Sequence, residues 1–514
     1  MIFSAPIFLF LFLPGAVLGF YLFGRIRTQW AFLWLIGASL FFYAWWNPPY
    51  VIVLLCSIIA NYLLSRILFR ATKFRTTILG VSIALNVAVL GYFKYMHFFA
   101  ETLSTLGLWR GDLPAILLPL GISFITFQKI AFLVDTYRGE TGNYSFLEFC
   151  LFVTFFPQLI AGPIVHHRDV IPQFKERELI VPRSDDFAIG ITIFLMGLGK
   201  KVLLADSVGV FVDPVFHAAE ASHITFLEAW GSALAYTFQL YFDFSGYADM
   251  AIGAAKMFGI TLPVNFDSPY KSKSIIEFWR RWHITLSRFL REYIYIPLGG
   301  NRQGWGPQMT NLFITMVIAG IWHGAGWTFA LWGILHGLYL VVNHAWRRWQ
   351  KTTPEKSRRH GLPLISWLVT FLAILGGWVI FRAESLHGAF SLLKSMMGLN
   401  GFALPSFIPP PYSNFLTAHG FAINLESLMV IGPGKWVYGA VLILLLSFIA
   451  FFLPNTREFM GKHFSVSTES MHPKKALLLW KPSIGYALCF AVLSAATLTA
   501  ILLAEQREFL YFQF

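Results

Sequence analysis

Formal charge in this chain is confined to short stretches, and the segments between them are too long and too apolar for a soluble fold. No Asp, Glu, Lys or Arg occurs in residues 1–24, 28–65, 76–93, 303–346, 361–381, 436–456 or 482–504. A helix that crosses hydrocarbon needs about 20 such residues. Only 13% of the 514 residues are charged, against roughly 25% in soluble domains. The pattern predicts an all-α, polytopic membrane protein with ten to twelve crossings.

The net charge of +13 raises nucleic acid as a partner, and its distribution argues against one. Basic residues gather in short loops, at 66–75, 271–302 and 347–359. Such loops mark the cytoplasmic side of a membrane protein, where anionic lipid headgroups are the ordinary counter-charge. Arg25 and Arg27 follow the first apolar run rather than precede it. That order is opposite to a cleavable signal, so the run reads as a retained span. The three cysteines, Cys56, Cys150 and Cys489, lie far apart in apolar surroundings and read as buried thiols, with neither disulfide nor metal spacing.

With those loops inside, residues 28–65 divide at Asn47-Pro48-Pro49 into an outgoing and a returning helix. Residues 76–93 go out again and 113–134 return. Segment 145–165 has basic loops at both ends and reads as re-entrant, a form tolerated only where protein or water meets the broken backbone. Segments 187–216 and 224–258 are long and interrupted by Lys200, Lys201, Asp243 and Asp249. The run 303–346 holds two spans with a turn at Gly324-Ala325-Gly326. Three more spans follow, at 361–381, 436–456 and 482–504, with 383–435 as an outside loop that is helical near 390–397. No soluble domain or internal repeat is visible, so 1–514 reads as one integral unit.

Within the charge-free run 303–346 stands Trp322-His323-Gly324. Ionisable groups at membrane depth are functional candidates; a neutral histidine bonded to nearby backbone is the alternative. Glycines 320, 324 and 326 would admit a close neighbour. His336 lies 13 residues on, roughly 220° further round a straight helix, and so would not aim at the same site. In 278–291 the residues Trp279, Trp282, Leu286, Phe289, Leu290 and Tyr293 recur at helical spacing, with arginines over the rest. This reads as an interfacial amphipathic helix with His283 beside its apolar face. Asp243 and Asp249 are roughly 240° apart on a helix and read as polar-network groups rather than an acid/base pair. Residues 297–302 carry turn chemistry but not a phosphate-binding loop.

Five motifs now carry a resemblance: Gly121-Ile122-Ser123-Phe124 with Asp135, 156–163, 243–249, 279–301, and Trp322-His323-Gly324. In this order they resemble the membrane-bound O-acyltransferase family, in particular its bacterial alginate O-acetyltransferase branch. The likeness runs from residue 1 to about 350; residues 361–514 match mainly in hydrophobic pattern. It implies a multi-helix core around a central tunnel. A catalytic intramembrane histidine maps to His323, and a second, upstream site residue corresponds to His283.

The resemblance also implies a cytoplasmic acyl donor, acetyl-CoA, and an extracytoplasmic polysaccharide acceptor reached through a periplasmic partner of the serine-esterase type. The setting is then a bacterial inner membrane. No permanently bound cofactor or metal is expected, and CoA phosphates have Lys271, Lys273, Arg280 and Arg281 as candidate contacts, which lipid headgroups explain equally well. A transporter and a non-catalytic export scaffold are the rival classes. Broken helices and a midplane histidine also suit a transporter, although no repeat relates two halves.

Overall fold

A charge-free run in lipid satisfies its backbone only by closing every hydrogen bond within itself, which makes it a helix. The computed structural model of the chain describes residues 1–111, 113–221, 224–352, 363–401, 410–418, 433–464, 479–503 and 507–510, and throughout these the regular structure is helical. Among the described residues, seven helices are long and apolar enough to cross a membrane. They are α1 (Phe8–Ile26), α3 (Tyr50–Arg70), α4 (Arg75–Thr105), α6 (Ser184–Ala218), α12 (Pro363–Arg382), α13 (Gly434–Phe452) and α14 (Ile484–Leu503).

The remaining long helices are shorter or more polar: α2 (Thr28–Ala44), α5 (Ile122–Arg138), α7 (Phe226–Lys256), α10 (Trp305–His323) and α11 (Trp327–Thr352). Their polarity is affordable because protein surrounds much of it. In α7, Tyr236 to Ala255 is an unbroken run of buried side chains that includes Asp243 and Asp249. Two short helices, α8 (Ile275–Arg281) and α9 (Ile284–Leu290), complete the set used below.

Helices α6 and α7 cross through two glycine pairs. A Cβ on Gly197 would lie 2.5 Å from the Gly246 carbonyl oxygen, and one on Gly253 would lie 2.5 Å from that of Gly190. The pairs have equal residue sums and are two turns apart, so the helices run antiparallel with backbones nearly touching, a small-residue contact typical of membrane helices. The polar groups of this seam then meet. Lys200 Nζ lies 2.7 Å from Asp249 Oδ2 and Lys201 Nζ 2.7 Å from Asp243 Oδ1, as expected of polar-network carboxylates.

The predicted turn at 324–326 separates α10 from α11. Segment 145–165 is a short helix, Phe146–Thr154, then a single helical turn, Phe156–Leu159, and irregular chain, buried throughout from Phe149 to Val165. Protein meets its broken backbone, for example where Thr285 Oγ1 accepts from Ile164 N at 2.9 Å. The outside-loop helix runs from Leu386 to Met396; the rest of 383–435 falls partly outside the described residues, and 353–359 falls wholly outside them. Three expectations about the fold fail. The returning span expected over 113–134 is irregular as far as Gly121 and helical only from Ile122. Cys56 and Cys489 are exposed on the outer faces of spans, where lipid rather than core supplies the apolar surroundings. The amphipathic segment 278–291 is not one helix but breaks between α8 and α9 at Trp282-His283.

Candidate active site

The two ends of the bundle are chemically distinct. Arg25 and Arg27, Arg66 to Arg75, and Arg138 lie at one end of α1, α3, α4 and α5; Met1, Trp46, Tyr50 and Leu117 to Leu120 lie at the other. At that second end a cavity of about 300 Å³ enters the protein, walled by Met1, Trp46, Lys94, Leu117 to Phe124, Ile160, Ala161, Trp322, His323 and Glu508. By the charge rule this is the extracytoplasmic mouth. His323 stands in its wall.

His323 closes α10. Its ring sits in an aromatic cage, with centroids 4.9 Å from Trp322, 5.0 Å from Trp332 and 5.2 Å from Phe381, all edge-on. The cage exists because α10 and α11 pack backbone to backbone: a Cβ on Gly320 would lie 2.5 Å from the Phe329 carbonyl oxygen and 2.7 Å from Gly333 Cα. Gly324 is equally committed, with the Phe329 ring 2.1 Å from an added Cβ, whereas Gly326 has only ordinary contacts.

His283 is fully buried and takes a left-handed backbone, φ 43°. The helix breaks there because residues 265–267 run alongside and take its hydrogen bonds: Ile284 N donates to Asn265 O at 3.0 Å and Asp267 N to Arg281 O at 2.9 Å. Asn265 Oδ1 accepts from Thr285 N at 3.3 Å and from Thr285 Oγ1 at 2.9 Å, and lies 3.0 Å from His283 Nδ1. An amide oxygen carries no proton, and the bond from Thr285 N identifies this atom as the oxygen, so His283 Nδ1–H is the donor. The neutral ring therefore carries its lone pair on Nε2.

The structure brings the two histidines into one neighbourhood. His283, Lys94 and His336 are the groups within electrostatic reach of His323. Among the described residues His323 lines the cavity and His283 does not; Phe124, which does, has its ring 6.4 Å from that of His283. His336 is nearer than the straight-helix argument predicts, because the chain reverses after His323. Its ring lies 4.6 Å from that of Trp332, which in turn cages His323. Trp279 Nε1 donates to His336 Nδ1 at 3.3 Å and Gly377 leaves room for its Nε2, so it buttresses the cage from outside the cavity.

Sequence reading missed three features. Lys94 lies in the extracytoplasmic half of α4, and a lone lysine on the wrong side of the charge rule was the available signal. Asn265 had no such signal, since only folding brings it to His283. The third is residues 507–510. Leu510 N donates to Asp243 Oδ2 at 2.9 Å, Phe509 stacks on Tyr247 at 4.5 Å, and Glu508 joins the cavity wall. A separate polar cluster lies at the basic end: Tyr293 Oη donates to Asp135 Oδ2 at 2.8 Å and lies 3.0 Å from His166 Nδ1. Burial, with Arg288 close by, keeps the His166 imidazole neutral well below the usual histidine range.

With this geometry in place, the comparison with known proteins is decisive. The model of the membrane-bound O-acyltransferase family matches residues 16–383. The chain belongs to the membrane-bound O-acyltransferase family. A peptidoglycan O-acetyltransferase of Helicobacter pylori is 39% identical over 100% of this chain and 98% of its own length. A "probable alginate O-acetylase" of Pseudomonas aeruginosa is 42% identical over 79% of this chain and 76% of its own. A teichoic acid D-alanyltransferase of Streptococcus thermophilus is 31% identical over 51% and 68%. The chain is thus a multi-pass membrane acyltransferase, and the transporter and scaffold readings are set aside.

Proposed function

We propose that this chain moves an acetyl group from cytoplasmic acetyl-CoA across a bacterial inner membrane toward an extracytoplasmic polysaccharide, by way of a periplasmic partner, with His323 as the base. The observation that carries the reading is an imidazole in the wall of a cavity that opens away from the basic end. A hydroxyl entering that cavity gives its proton to His323 as its oxygen attacks the thioester carbonyl. The C–S bond breaks, and the departing thiolate takes the proton back from the imidazolium. A positioned general base contributes typically 10²–10⁴-fold. His283 presents Nε2 as an acceptor, which suits holding an N–H of the donor better than stabilising an oxyanion. No residue is assigned to the CoA phosphates.

The favoured acceptor is peptidoglycan, because the likeness to the peptidoglycan enzyme extends over residues 384–514 as well as the core. The alginate reading keeps one support, the 42% identity over the shared region. Either polymer is too large for a 300 Å³ cavity, so a periplasmic protein of the serine-esterase type would carry the acetyl group onward.

The test is thiol release from acetyl-CoA by the purified protein. His323→Ala should abolish it while membrane insertion and thermal stability persist; turnover retained by that variant refutes the assignment. Cells lacking the protein should lose O-acetyl groups from muropeptides, and loss from an exopolysaccharide alone would transfer the acceptor to the alginate class.

A further inference from the structure

Helix α10 ends at the residue whose chemistry matters most, and its own chain supplies no cap. Gly324 is extended, at φ −159° and ψ 156°. The last carbonyls of a helix have no partner within it, so those of Ile321, Trp322 and His323 need donors from elsewhere. Helix α4 supplies all three. At Gly91–Tyr95 it widens into a π-turn, a local irregularity that often marks functional positions. From that turn Lys94 Nζ donates to Trp322 O at 2.7 Å and to His323 O at 2.9 Å, and Tyr95 Oη donates to Ile321 O at 2.6 Å.

The ammonium also stands 6.0 Å from the Trp322 ring centroid and lines the cavity with His323. Among the described residues no ion pair holds Lys94; two helix carbonyls do. A cation at a helix C-terminus also faces the negative end of the helix dipole. Keeping a lysine at membrane depth is costly, and three carbonyls around one candidate base are what this lysine and its neighbour serve.

We propose that Lys94 and Tyr95 are positioning residues that clamp the last turn of α10 to α4 and so hold the His323 imidazole at its place in the cavity wall. The inference rests on the reading of His323 as the base. Neither residue takes the substrate proton. Their effect is geometric: once the carbonyls lose their donors, the final turn frays and the ring drifts from reacting distance.

The experiment compares the full-length wild type, Lys94→Met, Lys94→Arg, Tyr95→Phe and His323→Ala, each purified in lipid nanodiscs. Thiol release gives kcat and KM for acetyl-CoA, and hydrogen exchange by mass spectrometry follows the peptide that spans the end of α10. Lys94→Met should lower kcat by about 10–100-fold, since an ångström of misplacement costs on that order, with KM within about twofold. Lys94→Arg, which keeps N–H donors, should recover most of the loss. Exchange in the last turn should rise about fivefold in Lys94→Met and less in Tyr95→Phe, in proportion to a lost cap.

Wild-type kcat in Lys94→Met, or a raised KM with unchanged kcat, overturns the proposal. Unchanged exchange overturns it whatever the turnover. If Lys94→Met does not accumulate, Tyr95→Phe, which removes one hydroxyl, decides by the same two readings. Should His323→Ala match the wild type, the base assignment fails by itself, and the exchange measurement still judges the clamp.

Discussion

Asn265 offers the sharpest perturbation of the candidate site, because one oxygen there holds three groups. Its Oδ1 accepts from His283 Nδ1 at 3.0 Å, Thr285 Oγ1 at 2.9 Å and Thr285 N at 3.3 Å. Thr285 Oγ1 in turn accepts from Ile164 N at 2.9 Å, so the oxygen also anchors the irregular chain after Phe146–Thr154. Asn265→Ala strands these donors in a site with no exposure to water. Each buried unsatisfied donor costs about 1–3 kcal/mol, so a loss of about 3 kcal/mol or more is expected. Without the acceptor, the His283 ring is no longer held to the tautomer that bears its lone pair on Nε2. Losing the partner that orients a functional imidazole typically costs 10–100-fold in activity, by analogy with metal-site histidines.

Asn265→Asp separates geometry from mere bulk, since it keeps an acceptor at the same place. Among the described residues the amide nitrogen makes no hydrogen bond, so none is lost by the exchange. The assay is thermal unfolding in detergent alongside thiol release from acetyl-CoA. Asn265→Ala should melt lower and turn over about 10–100-fold more slowly, with Asn265→Asp between it and the wild type. Full turnover in Asn265→Ala, or equal damage from both substitutions, would refute the argument that this oxygen sets His283.

Two further outcomes concern the scaffold. Gly320→Val places carbon 2.5 Å from the Phe329 carbonyl oxygen and 2.7 Å from Gly333 Cα. Backbone cannot yield as a side chain does, so at least the 1–3 kcal/mol typical of overpacking should be lost, read as a lower melting temperature and less monodisperse protein. Asp249→Ala leaves Lys200, 2.7 Å away and 15% exposed, without its carboxylate. Breaking a buried pair from one side costs about 3–5 kcal/mol, and Lys200→Met combined with Asp249→Leu should restore most of the stability; a double variant as unstable as the single would show that the pair is not coupled.

Membrane residence, the helical class and the division of 303–346 into two helices at Gly324 were all legible in the chain itself. The reason is that each rests on a local pattern. A missing charge, a pair of prolines or a glycine turn has the same meaning wherever the chain goes. Tertiary structure decided whatever depends on one segment meeting another. The break at His283 arises because Asn265 to Asp267 claim the hydrogen bonds of a helix that the periodicity favoured. His336 joins the His323 cage because the chain reverses, which defeats any angle counted along a straight helix. Cys56 and Cys489 face outward, since hydrophobic surroundings in sequence do not distinguish lipid from core. Lys94 looks like a lone misplaced charge until three carbonyls from a helix more than 220 residues away converge on it and its neighbour Tyr95, for a hydrogen bond is fixed by distance in space and not by position in the chain.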